Sequence, residues 1–245
     1  MKTSSSPKRC CQEAMLCDIL RGLTPSFFMS GHLEEITCFT KEGDTPFAPS
    51  WKYYIGEGYA DFDLYLLQKE VMSKEREIID KYEFVSDWGT KLGKDSLTAR
   101  SGDYNLLKFD NAGPLKEAIR KVHDQFVETL EFPLEEDLYA QAWANVMRKK
   151  QKIAPHIHNT TPACYLSGHV CVQVEDTHTY YTNPFTLEDW KSANVDRKIT
   201  IFPSWVKHCT DSVPTDKIRM TFAFDLLRKS EWEEHVKKKH HWVKL

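Results

Sequence analysis

Short segments of alternating apolar and polar residues follow one another through the second half of the chain. They cover residues 139–147, 163–174, 177–182, 198–202, 205–208 and 218–224. Successive side chains of an extended strand point to opposite faces, so the alternation predicts strands with one buried face. Many short strands at close spacing are typical of a β-sandwich or β-barrel.

Helical periodicity is confined to a few other stretches. Apolar residues from Leu64 to Ile79 recur close to every 3.6 positions, which predicts a helix over 64–82. A second helix is predicted over 114–130, with Pro114 at its start. Both are expected to support a sheet, and residues 230–242 are expected to form a polar terminal helix.

The chain is expected to form one main domain with an N-terminal addition. Residues 1–60 show little periodicity and are rich in turn residues and aromatics, which predicts an irregular arm with short strands that packs on the core. Residues 61–245 are the predicted domain, since 245 residues can bury one sizeable core.

Composition argues against several classes of function. A net charge of −3 gives no basic footprint for nucleic acid, and the absence of any run of 18 apolar residues argues against a membrane span. The N-terminus lacks the apolar region of a secretory signal. Seven cysteines without a Cys-x-x-Cys pair indicate reduced thiols, so a cytosolic location is favoured.

Three histidines stand out as candidate metal ligands. His156 and His158 are two residues apart, so in an extended strand both rings project from the same face. His208 follows about fifty residues later, and Arg219 and Thr221 share one face of the last predicted strand.

In this order, the groups resemble the 2-oxoglutarate/Fe(II)-dependent oxygenase superfamily, above all its branch of small oxygenases of marine bacteria and their phages. The matching pieces are Trp143-Ala-Asn145, His156-Ile-His158, Ser167-Gly168, Phe202-Pro-Ser-Trp-Val-Lys-His208 and Arg219-Met-Thr221. The resemblance covers about 87–227. It implies a mainly β fold with flanking helices: a double-stranded β-helix (jelly-roll, cupin-like) core with N-terminal helices packed on one sheet.

The resemblance also implies roles for single residues. His156, His158 and His208 would hold Fe(II), and Arg219 and Thr221 would bind the distal carboxylate of 2-oxoglutarate. Asn145 and Ser167 are weaker candidates for binding the inner carboxylate of 2-oxoglutarate. Most of the superfamily has a carboxylate where this chain has His158, so Glu175 or Asp176 is an alternative ligand. A salt bridge from Arg219 to Asp211 or Asp216 is another alternative, and Asn145 could instead satisfy backbone groups between strands.

The implied reaction consumes O2 and 2-oxoglutarate and oxidises an unactivated C–H bond of a small metabolite, with succinate and CO2 as co-products. Hydroxylation is the default outcome, with desaturation or ring closure as variants. In the halogenase branch of the superfamily, glycine or alanine at this position opens a place for a halide on the metal. Because His158 would keep a ligand there, halogenation is disfavoured. A three-histidine zinc hydrolase or lyase and a non-catalytic cupin-like binding module are the alternatives. The oligomeric state stays open.

Further residues carry weaker expectations. The glycine-punctuated loop 87–105 is expected to be functional, with Arg100, Tyr104 and Asn105 as candidate substrate contacts. Trp143 and Trp205 are expected to lie in the core. Of the other histidines, His169 and His178 are expected to be structural or exposed, and His240 and His241 are expected to be solvated.

Overall fold

Strands dominate the part of the chain that a computed structural model describes, which covers residues 31–132, 135–159, 165–236 and 239–245. The strands are β1 (His32–Lys41), β2 (Trp51–Tyr59), β3 (Leu138–Met147), β4 (Leu166–Gln173), β5 (His178–Thr182), β6 (Asp189–Ala193), β7 (Lys198–Pro203), β8 (Lys207–Thr210), β9 (Arg219–Arg228) and β10 (Val243–Lys244). The helices are α1 (Tyr65–Lys81), α2 (Gly113–Thr129) and α3 (Lys229–His235). The predictions made for residues 1–30 and for residues 163–164, the start of a predicted strand, lie outside the described residues.

Two antiparallel sheets face each other. The larger has seven strands in the order β1-β2-β7-β4-β9-β3-β10, and the smaller has the order β6-β5-β8. An isolated bridge between His156 and His208 adds one more segment to the edge of the smaller sheet. From β3 onward the chain passes repeatedly between the two sheets, which is the winding of a double-stranded β-helix. The predicted mainly β, jelly-roll fold is therefore confirmed.

Strand β9 lies inside the larger sheet and is covered on both faces. Its even-numbered residues from Met220 to Leu226, Phe222 and Phe224 among them, are fully buried in an apolar core with residues of α1 and α2. Burying each such side chain contributes roughly 1.5–3 kcal/mol. Its odd-numbered residues, from Arg219 to Asp225, face the space between the sheets.

Both predicted helices are confirmed within a residue of each end. Helix α1 buries Leu67, Val71 and Ile78, and α2 buries a stripe that includes Ile119 and Phe126. These side chains join the apolar core formed by the outer face of the larger sheet, so the expected packing of the helices on one sheet is found.

Close packing under α2 depends on Gly168 in β4. A Cβ atom at this position would lie 2.3 Å from Cζ of Phe224 and 2.3 Å from the carbonyl oxygen of Thr200. Contacts this short are not tolerated, so only glycine lets the neighbouring strands and the phenyl ring approach.

Residues 32–59 were predicted to belong to an irregular arm with short strands that packs on the core. They form strands of ten and nine residues, and β2 continues the larger sheet by pairing with β7. The sheet is thus continuous across the predicted boundary at residue 60. Gly56 and Gly58 interrupt the apolar alternation of β2, because both sit where a Cβ atom would clash with a neighbouring element.

The C-terminal tail differs from its prediction as well. Helix α3 ends at His235, and the chain then forms a short 3-10 turn and strand β10, which pairs with β3. His240 is exposed as expected, whereas His241 is buried and its Nε2 donates to the carbonyl oxygen of Ser101 at 3.2 Å. No helix within the described residues is long and apolar enough to cross a membrane.

Candidate active site

The inner faces of three neighbouring strands form the floor of a cavity of about 350 Å³. The registers of β3, β9 and β4 align their inward residues in rows. From one end to the other the rows are Gln141-Asp225-Ser167, then Trp143-Ala223-His169, then Asn145-Thr221-Cys171, and at the far end Met147-Arg219. Successive rows are about 6.6 Å apart, twice the rise of one strand residue.

The three predicted histidines meet at one end of this cavity. One ligand nitrogen from each of His156, His158 and His208 lies within 4.8 Å of the other two. Two backbone hydrogen bonds fix the first to the third: His156 N–H donates to the His208 carbonyl at 3.1 Å, and His208 N–H donates back at 3.0 Å. His158 N–H donates to the Ser204 carbonyl at 3.0 Å. Short bridges, rather than the expected full strand, therefore bring the rings together.

Each ring is oriented by a hydrogen bond at Nδ1. The partners are the carbonyl of Ala154 for His156 at 2.9 Å and the carbonyl of Val206 for His208 at 3.0 Å. For His158 the partner is the carboxylate of Asp225, at 2.5 Å. Because all three partners accept hydrogen bonds, Nδ1 carries the proton in each ring and Nε2 keeps its lone pair. Three such nitrogens are a ligand set for a divalent transition metal.

Burial keeps the rings of His156 and His208 neutral. It lowers the pKa of His156 to about 4, with a further contribution from neighbouring His158. Burial also holds the pKa of His208 well below its usual value, and the two other rings add to the effect. Neutral imidazole is the form that binds a metal, so the site is ready to accept one at neutral pH.

Asp225 is a functional residue that the sequence analysis missed. Its Oδ1 accepts from Nδ1 of His158 and, at 2.6 Å, from the hydroxyl of Ser167. A carboxylate that holds a histidine in this way fixes both the tautomer and the direction of the ring. A signal was available: Arg219, Thr221 and Asp225 all fall on the same face of one alternating strand.

Ser167, a predicted contact of the inner carboxylate of 2-oxoglutarate, is engaged with other side chains of the protein. Its hydroxyl donates to Asp225 and lies 2.8 Å from the hydroxyl of Ser204, so its one proton is already engaged. Ser167 therefore supports His158 through Asp225.

The alternative carboxylate ligands lie elsewhere in the described structure. Glu175 pairs with Lys217 at 3.2 Å, and Asp176 is exposed to solvent. Neither belongs to the cluster around His156 and His208.

Arg219 is a buried charge with almost no protein partner. It is 1% exposed and lines the cavity, and its Nε and Nη1 have no hydrogen-bond partner among the described residues. Nη2 lies 3.1 Å from the amide of Asn194, whose oxygen accepts from it. Among the described residues, neither alternative salt bridge to Arg219 forms. Asp216 pairs with Lys149, and Asp211 bonds to His178 and Tyr180. A buried guanidinium with two free donors calls for an anionic ligand.

Thr221 and Asn145 lie beside Arg219 on the cavity floor. The Asn145 amide accepts from Thr98 at 2.7 Å and donates to the Thr221 hydroxyl at 3.3 Å. This bond leaves the Thr221 proton available to a ligand. Asn145 thus bonds side chains rather than the backbone groups that were the alternative.

The loop before α2 contributes to the cavity, but through residues other than those predicted. Trp88, Thr90, Ser101 and Gly102 are among its lining residues. The predicted contacts Arg100, Tyr104 and Asn105 are instead buried: Arg100 donates to the Tyr82 carbonyl, the Tyr104 hydroxyl accepts from Ala144 N–H, and Asn105 caps a 3-10 turn.

Aromatic residues surround the site. Trp143 lines the cavity yet is only 8% exposed, with its ring 5.4 Å from that of His158. Trp205 packs edge-on against Tyr53 outside the cavity. His178 is half-buried against Asp211, as expected, while His169 is buried and faces the cavity.

Comparison with known proteins gives only remote likenesses. No protein-family model matches the sequence, and no curated protein matches it. Among solved structures, the chain is similar to a prolyl hydroxylase in complex with a hypoxia inducible factor oxygen degradation domain peptide fragment from Trichoplax adhaerens. The TM-score is 0.47 at 9% identity, over 75% of this chain and 87% of that one.

Two further structures show the same level of similarity. The epimerase SnoN in complex with Fe3+, alpha ketoglutarate and nogalamycin RO gives a TM-score of 0.44 at 14% identity, over 71% of this chain and 78% of that one. A 2OG-Fe(II) oxygenase family oxidoreductase from Burkholderia pseudomallei gives 0.37 at 14% identity, over 51% of this chain. The chain spans only 55% of that protein's length. At these scores none of the structures decides the function of this chain.

Proposed function

We propose that the protein is an Fe(II)- and 2-oxoglutarate-dependent dioxygenase that oxidises a C–H bond of a small molecule. One observation carries the proposal. Three histidine Nε2 atoms and a buried, largely unpartnered Arg219 open onto the same cavity. A transition metal fits the first group and a carboxylate fits the second, and 2-oxoglutarate is a ligand that joins the two.

His156, His158 and His208 would hold the metal. When bound, Fe(II) with 2-oxoglutarate and O2 supplies the oxidising power for an unactivated C–H bond, giving succinate and CO2 as co-products. The three Nδ1 hydrogen bonds keep the rings aimed at one point without further rearrangement. The protein thus contributes a prearranged ligand set on one side of the ion and leaves the cavity side open.

Charge balance favours a dianionic ligand. Three neutral imidazoles leave the full charge of a divalent ion, and Arg219 adds another positive charge. Within the described residues that line the cavity, Asp225 is the one carboxylate, and it is engaged by His158. The two negative charges of 2-oxoglutarate would offset this excess.

Arg219 and Thr221 would bind the distal carboxylate. Nε and Nη1 of Arg219 lack protein partners, so both can donate to one carboxylate, and the Thr221 hydroxyl can add a third hydrogen bond. The amide of Asn145 holds the Thr221 oxygen from the other side. In this arrangement Asn145 positions Thr221, and it would not make the contact to the inner carboxylate that was predicted for it.

The mouth of the cavity favours a small amphipathic substrate. Trp88 and Ile157 are 58% and 43% exposed there and offer apolar contact, while Ser101 and Gln141 offer polar groups. Trp88 has a φ of 54°, a conformation rare for a bulky side chain. Hydrogen bonds from the Trp88 and Gly89 amides to the side chains of Ser86 and Asp87 hold this turn at the rim.

A zinc hydrolase or lyase is the second candidate, because no carboxylate joins the three histidines within the described residues and zinc accepts such a set. Arg219 separates the two functions. A zinc hydrolase has no use for an unpaired guanidinium on the cavity floor, whereas a 2-oxoglutarate enzyme requires one.

Anaerobic spectroscopy tests the proposal. Adding Fe(II) and then 2-oxoglutarate should produce the weak visible metal-to-ligand charge-transfer band, and O2 should then release succinate. The His208→Ala variant should lose the band. Wild-type protein that binds Fe(II) but shows neither the band nor any change on adding 2-oxoglutarate would rule out this function.

A further inference from the structure

His169 is a buried imidazole with no assigned role. It is 9% exposed and lines the cavity, yet its ring makes no hydrogen bond with any described residue. A neutral imidazole always carries one N–H donor, and in His169 this donor can face the cavity. A ligand in the cavity can accept a hydrogen bond from it.

The strand register places His169 between the metal ligands and Arg219. Along β4 it is two residues from Ser167, whose row holds the carboxylate that orients His158. In the other direction it is two residues from Cys171, which is paired with Thr221. His169 therefore stands about 6.6 Å along the floor from each of these rows.

Space for a ligand exists directly beside the ring. Ala223 is the cross-strand partner of both His169 and Trp143, so a small side chain separates two large ones in this row. Any molecule that reaches from the three histidines to Arg219 must cross this gap.

His169 is suited to donate a hydrogen bond rather than to bind the metal. It lies outside the cluster of three histidines. Burial lowers the pKa of His169 to about 3, and the charges of Arg219 and Lys198 add to the effect, so the ring is neutral. It thus keeps one N–H donor and one acceptor nitrogen.

We propose that His169 is a further cosubstrate ligand, whose ring N–H donates to the metal-side carboxylate of 2-oxoglutarate. This inference rests on the proposed function. The two methylene groups of 2-oxoglutarate offer no acceptor, and Arg219 and Thr221 take the distal carboxylate. Two acceptors remain at the other end, the keto oxygen and the carboxylate next to it. The keto oxygen would bind the metal, so the free oxygen of that carboxylate is the acceptor for a donor in the middle row.

Binding measurements on His169 variants test the inference without turnover. The probe is 2-oxoglutarate, titrated calorimetrically and anaerobically into protein loaded with Mn(II), and the affinity for Mn(II) is measured separately. His169→Leu should weaken 2-oxoglutarate binding roughly 10- to 100-fold, the value of one hydrogen bond to a charged group. Mn(II) affinity should change less than twofold. His169→Gln keeps an N–H donor and should recover most of the loss.

A truncated ligand shows which carboxylate is involved. 2-Oxopentanoate has the keto acid end but lacks the distal carboxylate. His169→Leu should weaken its binding by the same factor as for 2-oxoglutarate, whereas Arg219→Met should no longer have an effect. Unfolding midpoints of the metal-free variants confirm that each one folds, and His169→Ala serves as the donor-free variant if His169→Leu does not fold.

The outcomes separate the two proposals. Equal 2-oxoglutarate affinity in wild type and His169→Leu overturns the role of His169, and so does a matching loss of Mn(II) affinity. Wild-type protein that binds Mn(II) but not 2-oxoglutarate overturns the proposed function itself, and the inference falls with it.

Discussion

Asp225 should control how tightly the histidine cluster binds metal. Its carboxylate is 2.5 Å from Nδ1 of His158, and the two side chains are 28% and 7% exposed. Without this acceptor, the His158 proton can move to Nε2, which blocks the nitrogen that faces the ion, and the ring can rotate. Asp225→Ala should therefore weaken metal binding although Asp225 is not itself a ligand.

The geometry sets the size of the effect. A hydrogen bond to a charged group contributes about 1.5–3 kcal/mol, and the partial exposure of Asp225 places this one near the lower end. We expect a loss of roughly 10- to 30-fold in metal affinity for Asp225→Ala, within the range found when such orienting carboxylates are removed.

Asp225→Asn should cost less, because the hydroxyl of Ser167 donates to the same oxygen and keeps the amide oxygen turned toward His158. Adding Ser167→Ala to Asp225→Asn should therefore increase the loss. This order of effects, alanine worst and asparagine mildest, is expected only if the tautomer of His158 is what Asp225 controls.

Competition with a chelator for Zn(II) or Mn(II) at pH 7 measures the affinities. Asp124→Asn is a matched control, because Asp124 bonds to His123 at 2.8 Å in the same way but lies on α2, away from the cavity. Its metal affinity should equal that of the wild type. Wild-type affinity in Asp225→Ala, or an equal loss in Asp124→Asn, would refute the reasoning.

Three other perturbations have definite expected outcomes. Arg219→Met removes an unpaired buried charge, so the metal-free protein should gain up to about 3 kcal/mol in urea unfolding while 2-oxoglutarate no longer raises its melting temperature; a destabilised variant would contradict this. The pKa of about 3 at His169 means that below about pH 6.5 the unfolded chain binds a proton that the folded chain does not. Lowering the pH from 7 to 5 should therefore reduce the free energy of unfolding of the wild type by about 2 kcal/mol more than that of His169→Leu. Equal reductions would refute the lowered pKa of His169. Gly168→Ala should destabilise the fold by about 1–3 kcal/mol or more in the same urea assay, because its methyl group would meet Phe224 and Thr200, and an unchanged midpoint would show that the strands can separate.

Local patterns predicted much of this molecule. The 3.6-residue period predicted both long helices, and alternation predicted strands β3, β4, β5, β7, β8 and β9, because one face of each is apolar. Strands β6 and β10 were not predicted. The grouping of the three histidines and the position of Arg219 facing the same cavity were predicted because their spacing and residue types match a known order of groups. Each of these features can be read from one short segment.

Features that depend on distant contacts were missed. Asp225 looks like a solvated residue within a strand until His158, 67 positions away, is placed against it. Arg100, Tyr104 and Asn105 lie in a loop rich in turn residues, and nothing local shows that their side chains are turned inward. Strand β2 was missed because Gly56 replaces an apolar residue where α2 and β7 approach.

The hairpin of β1 and β2 reaches the metal site through its aromatic side chains. Ile55 and Tyr53 pack in one cluster with Phe202, whose ring stands edge-on to that of His208 at 4.8 Å. A shortened chain starting at residue 60 would leave an open edge on β7 and remove the backing of Phe202. Residues 32–59 are accordingly part of what holds His208 in place, and any shorter fragment used to test the proposed function has to include them.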